Sequence, residues 1–289
     1  MLSVFRRAIL GNRKVSVVTG IAGYSKASYE KLGMLVLGAE EEGNSYGNVG
    51  EDAFFLKKTL GPVDNYGVAD GVGGWRTKGV DPSIFSGTLM LVCKEESERV
   101  ENQRELLAKA MDIMNAVHES GEKDLQGSST AVLLSVNKEE DHVSLANLGD
   151  SGFVHIRAGK VESRSKDQTH YFNCPYQLSV KLKGSQSISD NPLDADEYEL
   201  TVKPDDVLIT ATDGLLDNVP QEMICGIMDG ATADNLGEKL EELCQVTLAI
   251  SLDENYMSPF ALEARKQGYE REKGGKLDDL TIVANLFQA

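Results

Sequence analysis

Two aspartates in this chain end apolar runs and a third stands just ahead of one. Asp70 follows Gly67-Val68-Ala69, Asp213 closes the run Val207-Leu208-Ile209-Thr210-Ala211, and Asp278 precedes Leu280-Thr281-Ile282-Val283-Ala284. An Asp-Gly pair alone reads as a turn, and Asp229-Gly230 is expected to be no more than that. A strand buried on both faces, however, delivers its last side chain to the end of the core. A carboxylate there is costly to desolvate unless it is paired or bound to a cation. No Lys or Arg adjoins Asp70, Asp213 or Asp278 in sequence, so the expected partner is a metal ion. Clustered carboxylates without a cation would repel one another and take up protons. Ligands that are all oxygen favour Mg2+ or Mn2+ over zinc. Gly71, Gly73 and Gly74 allow close backbone approach, which makes a main-chain carbonyl a candidate ligand.

Other chemistries lack their residues. The order of acids required for an EF-hand is absent, as is a phosphate-cradling G-x-x-x-x-G-K-[ST] loop. Cys93, Cys174, Cys225 and Cys244 are widely spaced and include no C-x-x-C, so neither a zinc site nor a disulfide framework is expected. Of the histidines, His142 and His155 are expected on strand surfaces and His118 at a helix end. His170 lies in a long polar stretch, where packing and substrate contact are both open.

The formal net charge of −17 argues against nucleic acid as a partner, because an acidic surface repels phosphate backbones. The acidity is uneven. Residues 1–29 carry Arg6, Arg7, Arg13, Lys14 and Lys26 with no Asp or Glu, the composition of a mitochondrial transit peptide. The expected organisation is therefore a leader over 1–29 and a single domain over 30–289, located in the mitochondrial matrix. No run approaches the ~20 apolar residues needed to span a bilayer. Oligomeric state is not legible.

The elements that must position the acids read as follows. Strands are expected at Tyr66 to Ala69, Ser129 to Val136, Val143 to Leu148, Gly152 to Arg157, Val207 to Ala211 and Leu280 to Phe287. Helices are expected after Asp81-Pro82-Ser83, from Arg104, and over Leu236 to Ile250. Residues 30–50 read as a loop or short edge strand, with the ordered domain starting near Leu35. Because several strands follow one another through turns rather than helices, a doubly wound parallel sheet is disfavoured. The fold class is α+β, with antiparallel sheets packed together and covered by helices. Asp167 to Glu199 and Asp253 to Lys276 fit no element and are placed at the rim of the site as a lid or docking surface.

Six ordered segments carry a resemblance: Gly50-Glu51-Asp52-Ala53, Val68-Ala69-Asp70-Gly71-Val72-Gly73-Gly74-Trp75, Gly127-Ser128-Ser129-Thr130-Ala131, Asn147-Leu148-Gly149-Asp150-Ser151-Gly152, Ala211-Thr212-Asp213-Gly214 and Asp278-Asp279-Leu280-Thr281. Over residues 50–287 the chain resembles the metal-dependent type 2C protein phosphatases. It looks most like their mitochondrial subgroup linked to coenzyme Q biosynthesis, through Gly73-Gly74-Trp75-Arg76, His170-Tyr171-Phe172-Asn173 and Asn255-Tyr256-Met257-Ser258-Pro259-Phe260. The resemblance implies a sandwich of two antiparallel sheets flanked by helices in α-β-β-α order, with two metal ions at the sheet ends. By position, it implies that Asp70 bridges both ions, that the Gly71 carbonyl completes one site, and that Asp213 and Asp278 hold the other. Glu51 and Asp52 would orient water, and Asp150 would help hold a weaker third ion. Asp279 stands where many members have Asn, and capping of the final strand is its alternative role.

The reaction implied is attack of a metal-activated water on phosphoserine or phosphothreonine of a protein substrate. Two departures stand out. Val72 occupies the place of a histidine that is a candidate general acid, and the phosphate-binding arginine upstream of Glu51 is missing, with Arg76 or Lys78 as candidate substitutes. A pseudophosphatase that uses the same fold as a binding scaffold is the alternative.

Overall fold

A computed structural model describes residues 15–180, 188–269 and 273–289. In chain order the strands of the two main sheets are β1 (Ser16–Tyr24), β2 (Gly33–Leu37), β3 (Gly43–Val49), β4 (Asp52–Lys58), β5 (Val63–Ala69), β6 (Ala131–Asn137), β7 (His142–Leu148), β8 (Gly152–Arg157), β9 (Lys160–Arg164), β10 (Asp196–Thr201), β11 (Val207–Ala211) and β12 (Leu280–Gln288). The helices are α1 (Pro82–Glu96), α2 (Gln103–Ser120), the single turn α3 (Asp213–Leu216), α4 (Gln221–Met228), α5 (Leu236–Leu252) and α6 (Pro259–Lys266). Two six-stranded antiparallel sheets form, in the orders β9-β8-β11-β12-β1-β2 and β10-β7-β6-β5-β4-β3.

Three apolar layers hold these elements together. Between the sheets, Val17, Ile21, Tyr66, Val132, Phe153 and Val283 interdigitate. Phe85, Leu89, Leu106 and Met114 of α1 and α2 cover one outer face, and Leu236, Leu240 and Leu243 of α5 cover the other. Strands with a helix layer outside and a sheet inside must be apolar on both faces. This is why Val207–Ala211 and Leu280–Phe287 read as continuous apolar runs in the sequence. The expected α-β-β-α sandwich is the fold observed.

The N-terminal boundary differs from expectation. Strand β1 lies between β12 and β2, pairs with β12 along its whole length from Ser16 opposite Gln288 to Tyr24 opposite Leu280, and is buried throughout except at Ser16. A leader ending at residue 29 would cut away an internal strand of one sheet, and the ordered domain begins by Val15 rather than near Leu35. Residues 1–14, with four of the five cations that marked the leader, lie outside the described residues.

Elsewhere the helices after Asp81, from near Arg104 and over Leu236 to Ile250 all form. Capping explains where the first two begin: Asp81 accepts from Ser83 N at 3.0 Å and Asn102 from Glu105 N at 2.9 Å. Strand β10 emerges from a stretch expected to have no element. Its sequence Asp-Glu-Tyr-Glu-Leu-Thr suits a half-exposed edge and gives no apolar run to read.

Candidate metal centre

The site forms where strands of both sheets end. Asp70 follows β5, and its backbone is held from both sides. Its N–H donates to Thr130 Oγ1 at 3.0 Å, and its carbonyl accepts from Thr130 N at 3.0 Å and Ser129 Oγ at 2.7 Å. Thr130 Oγ1 is 2.7 Å from Ser151 Oγ in turn, which ties the Asp70 corner to the Asp150 turn. Gly71 packs so tightly that a Cβ would lie 2.6 Å from Glu51 O and 2.9 Å from Pro82 O, so only glycine fits there.

From the other sheet, Thr212 Oγ1 donates to Asp52 Oδ2 at 2.8 Å and accepts from Thr281 N at 3.1 Å, which joins β4 to the ends of β11 and β12. Asp279 is buried. Its Oδ2 accepts from Glu51 N at 2.9 Å and its Oδ1 from Lys26 N at 2.7 Å. It therefore shapes the Glu51 turn rather than capping its own strand.

One carboxylate oxygen from each of Asp70, Asp150 and Asp213 lies within 4.8 Å of the other two. Asp150 Oδ1 and Asp213 Oδ1 are buried without a hydrogen-bond partner, an arrangement whose cost a bound cation would remove. Burial first, then repulsion by Asp213 and Asp52, holds the Asp70 carboxyl well above the usual range. Burial and Asp279 do the same to Asp52, and burial and Asp213 to Asp150. Burial pushes Asp213 up to about 7 against the opposing pull of Lys276. Hard oxygen donors with protons to lose and orphaned lone pairs suit a divalent ion such as Mg2+ or Mn2+.

Asp278 is placed differently. Its Oδ1 accepts from Lys26 Nζ at 2.8 Å, and its Oδ2 pairs with Lys276 Nζ at 3.3 Å. Burial would raise its pKa, but Lys276 and Lys26 hold it below the ordinary value. The expectation that no lysine or arginine would lie beside these acids is therefore corrected. Lys276 also contacts Asp213, and Asp217 at 2.8 Å, while Lys26 reaches Glu51 at 2.5 Å. Neither lysine is conspicuous in sequence, because Lys26 sits in the acid-free stretch that reads as a leader and Lys276 ends a long polar stretch without an apolar run. The available cue was the Gly274-Gly275 pair just ahead of Lys276.

Arg76 donates through Nε to Glu51, with its side chain 62% exposed. Lys78 lies 4.4 Å over the Trp75 ring. Val72 donates its N–H to Ser128 O at 2.9 Å and brings no proton donor in its side chain. His155 is buried against Asp206 at 2.9 Å, not on a strand surface. His170 stacks on Tyr176 at 4.5 Å and bonds Asp190 at 3.1 Å, with its side chain 32% exposed. The four cysteines are unpaired and buried.

The two long stretches meet beside the centre. Phe172 from the first packs against Phe260 and Tyr269 from the second, with ring centroids 4.9 and 4.7 Å apart. They enclose a groove of about 450 Å3 that Asp150, Asp217, Leu216, Phe172, Phe260 and Asp167 help line. Asp150 and Asp217 thus face both the groove and the acidic centre.

A two-sheet sandwich with helices on both faces and a carboxylate centre at the strand ends defines the type 2C class of protein phosphatase. The sequence profile of the Stage II sporulation protein E (SpoIIE) family matches residues 66–284, and the chain belongs to this SpoIIE/PP2C-type phosphatase family. It is 36% identical to "Protein phosphatase PTC7 homolog" of Xenopus laevis over 97% of this chain and 94% of that one. It is 38% identical to the protein of the same name from Homo sapiens over 82% and 79%. Among solved structures it is similar to the photosystem II phosphatase PBCP, with a TM-score of 0.73 and 27% identity over 94% of this chain and 98% of that one.

Proposed function

We propose that this protein removes phosphate from phosphoserine and phosphothreonine of mitochondrial matrix proteins with two Mg2+ or Mn2+ ions at the sheet ends. The observation that carries the reading is the convergence of Asp70, Asp150 and Asp213 within 4.8 Å, with two of their buried oxygens unpartnered. Asp70, the Gly71 carbonyl, Asp213 and Asp278 would hold the two ions, and Asp150 would help hold a weaker third. Ions held there would make water nucleophilic and neutralise charge on the phosphoryl oxygens.

The chain's own residues supply the rest. Glu51 and Asp52 would orient water through hydrogen bonds. Asp52 is held in turn by Thr212, and Glu51 by the Asp279 carboxylate beneath its N–H. Arg76 stands at the rim to meet a phosphate oxygen. The groove behind Phe172 and Phe260 takes the peptide on one side of the phosphorylated residue. With Val72 in place of a histidine, the leaving alkoxide takes a proton from water or another residue or leaves unprotonated, which predicts modest turnover.

The matrix location rests on the basic residues 1–14, which remain as a leader once β1 is given to the domain. Import of a reporter carrying residues 1–14 checks this, and a reporter left in the cytosol opposes it. The scaffold alternative draws on Lys26 and Lys276, which partly neutralise the cluster without metal. The full chain incubated with several phosphoserine and phosphothreonine substrates, with and without Mn2+, decides between the two: folded protein that shows no metal-dependent phosphate release on any of them favours the scaffold.

A further inference from the structure

Two lysines from opposite ends of the chain meet on one carboxylate. Lys26 Nζ is 2.8 Å from Asp278 Oδ1, and Lys276 Nζ is 3.3 Å from Asp278 Oδ2. Both oxygens of a proposed metal ligand are thus held by ammonium groups. Lys276 also contacts Asp213 Oδ2, whereas Asp213 Oδ1 has no partner. Each lysine bears on the lone pairs that a divalent ion would need.

Lys276 is fixed in this position by its backbone as well as its charge. Asn218, fully buried, donates to Lys276 O at 2.8 Å and accepts from Lys276 N at 2.8 Å, while a third Asn218 bond reaches Gly214 O in the turn that carries Asp213. A Cβ on Gly275 would come within 2.5 Å of Ser251 Cα, so only glycine lets the segment pass this close to the end of α5. The ammonium lies 5.4 Å from the Phe260 ring centroid, and the Lys276 side chain is 17% exposed. Lys26, on the β1–β2 connection, is 32% exposed and less constrained.

We infer that Lys276 is a built-in competitor for the divalent metal, holding Asp213 and Asp278 until an ion displaces its ammonium, and so setting the metal concentration at which the centre fills. This rests on the reading of the acidic cluster as a metal centre. Lys26 exerts the same competition at Asp278 with a looser hold. Two physical effects act in the same direction. An ammonium and a metal ion cannot share one lone pair, and a positive charge a few ångströms away raises the free energy of a bound dication. A lysine that merely ordered the carboxylates would act in the opposite direction, since its removal would loosen the ligands and weaken binding.

The sign of the change therefore decides. The full chain, stripped of metal, is titrated with Mn2+ while free Mn2+ is followed by electron paramagnetic resonance, for wild type, Lys276→Gln and Lys26→Gln. The expected result is binding at least about tenfold tighter for Lys276→Gln and about threefold tighter for Lys26→Gln, from loss of one neighbouring charge. Circular dichroism in chelator checks that each variant is folded. Should Lys276→Gln fail to fold, Lys276→Met, which removes the charge and keeps the length, takes its place in the same titration. Wild-type binding that a folded variant leaves unchanged or weakens overturns the competition while sparing the metal centre. Absence of Mn2+ binding in wild type and in both variants overturns the metal centre, and the competition with it.

Discussion

Asp279 Oδ2 accepts the backbone N–H of Glu51 at 2.9 Å across 228 positions of sequence. The bond ties the end of one sheet to the start of β12 in the other. Gly50, just before Glu51, has φ +66°, and a Cβ on it would run into the Asp279 carboxylate. The turn and the acid thus fit only each other. Replacing Asp279 with Ala strands two N–H groups, those of Glu51 and Lys26, at about 1–3 kcal/mol each when buried. Relief of repulsion with Asp52 offsets part of this. A net loss of about 2 kcal/mol in urea unfolding of metal-free protein is expected. A variant as stable as wild type would show that the contact is incidental.

Strand β1 makes truncation a sharp test. Val17, Val18 and Ile21 are nearly inaccessible, and each contributes about 1.5–3 kcal/mol when buried. Their loss, with a full strand of hydrogen bonds, is comparable to the roughly 5–15 kcal/mol that stabilises a typical domain. A protein starting at Val15 should show a cooperative melt, and one starting at residue 30 should not. Equal melting of the two would restore the longer leader.

Metal binding should release protons. A carboxyl whose folded-state pKa lies above its unfolded value stabilises the fold below the unfolded pKa, and that contribution is lost as pH rises through the folded one. For Asp213 the window runs from 3.8 to about 7, with Asp70, Asp52 and Asp150 shifted in the same direction. The centre of the metal-free protein is therefore least favourable above neutrality, and Mn2+ should flatten that dependence. Calorimetric titration with Mn2+ at pH 7 in two buffers of different ionisation heat should reveal net proton release. The same heat in both buffers would contradict it.

Phe172 links the two rim stretches. Its replacement by Ala should raise KM for a phosphopeptide several-fold while leaving p-nitrophenyl phosphate hydrolysis nearly unchanged, because the small substrate does not reach the groove. A parallel loss on both substrates would place Phe172 in general folding instead.

Much of this was legible in sequence, for identifiable reasons. The aspartates at Asp70 and Asp213 stood out because strands buried on both faces leave uninterrupted apolar runs, and a carboxylate ending such a run is conspicuous. Helices α2 and α5 are visible through their 3.6-residue apolar spacing, and α1 through its Asp81-Pro82-Ser83 start. Strand β1 was hidden by its own surroundings, since basic residues on either side and no acid between them imitate a leader. His155 was misplaced because strand alternation shows that a side chain faces one way, not that Asp206 awaits it there. Lys26 escaped because its pairing with Asp278 spans 252 residues, and Lys276 because its pairing with Asp213 spans 63, separations that leave no mark on local spacing.

The central claim is that the carboxylates at the strand ends form a catalytic metal centre, and it is tested most directly by comparing Asp213→Asn with Asp229→Asn. Asp229 follows α4 at the turn into Gly230 and serves as the matched control. Phosphate release from a phosphothreonine peptide, measured across Mn2+ concentrations, should fall at least about a hundredfold for Asp213→Asn, the loss of a ligand that stabilises transition-state charge. Asp229→Asn should retain wild-type rates. Comparable rates for the two variants, both folded, would contradict the account.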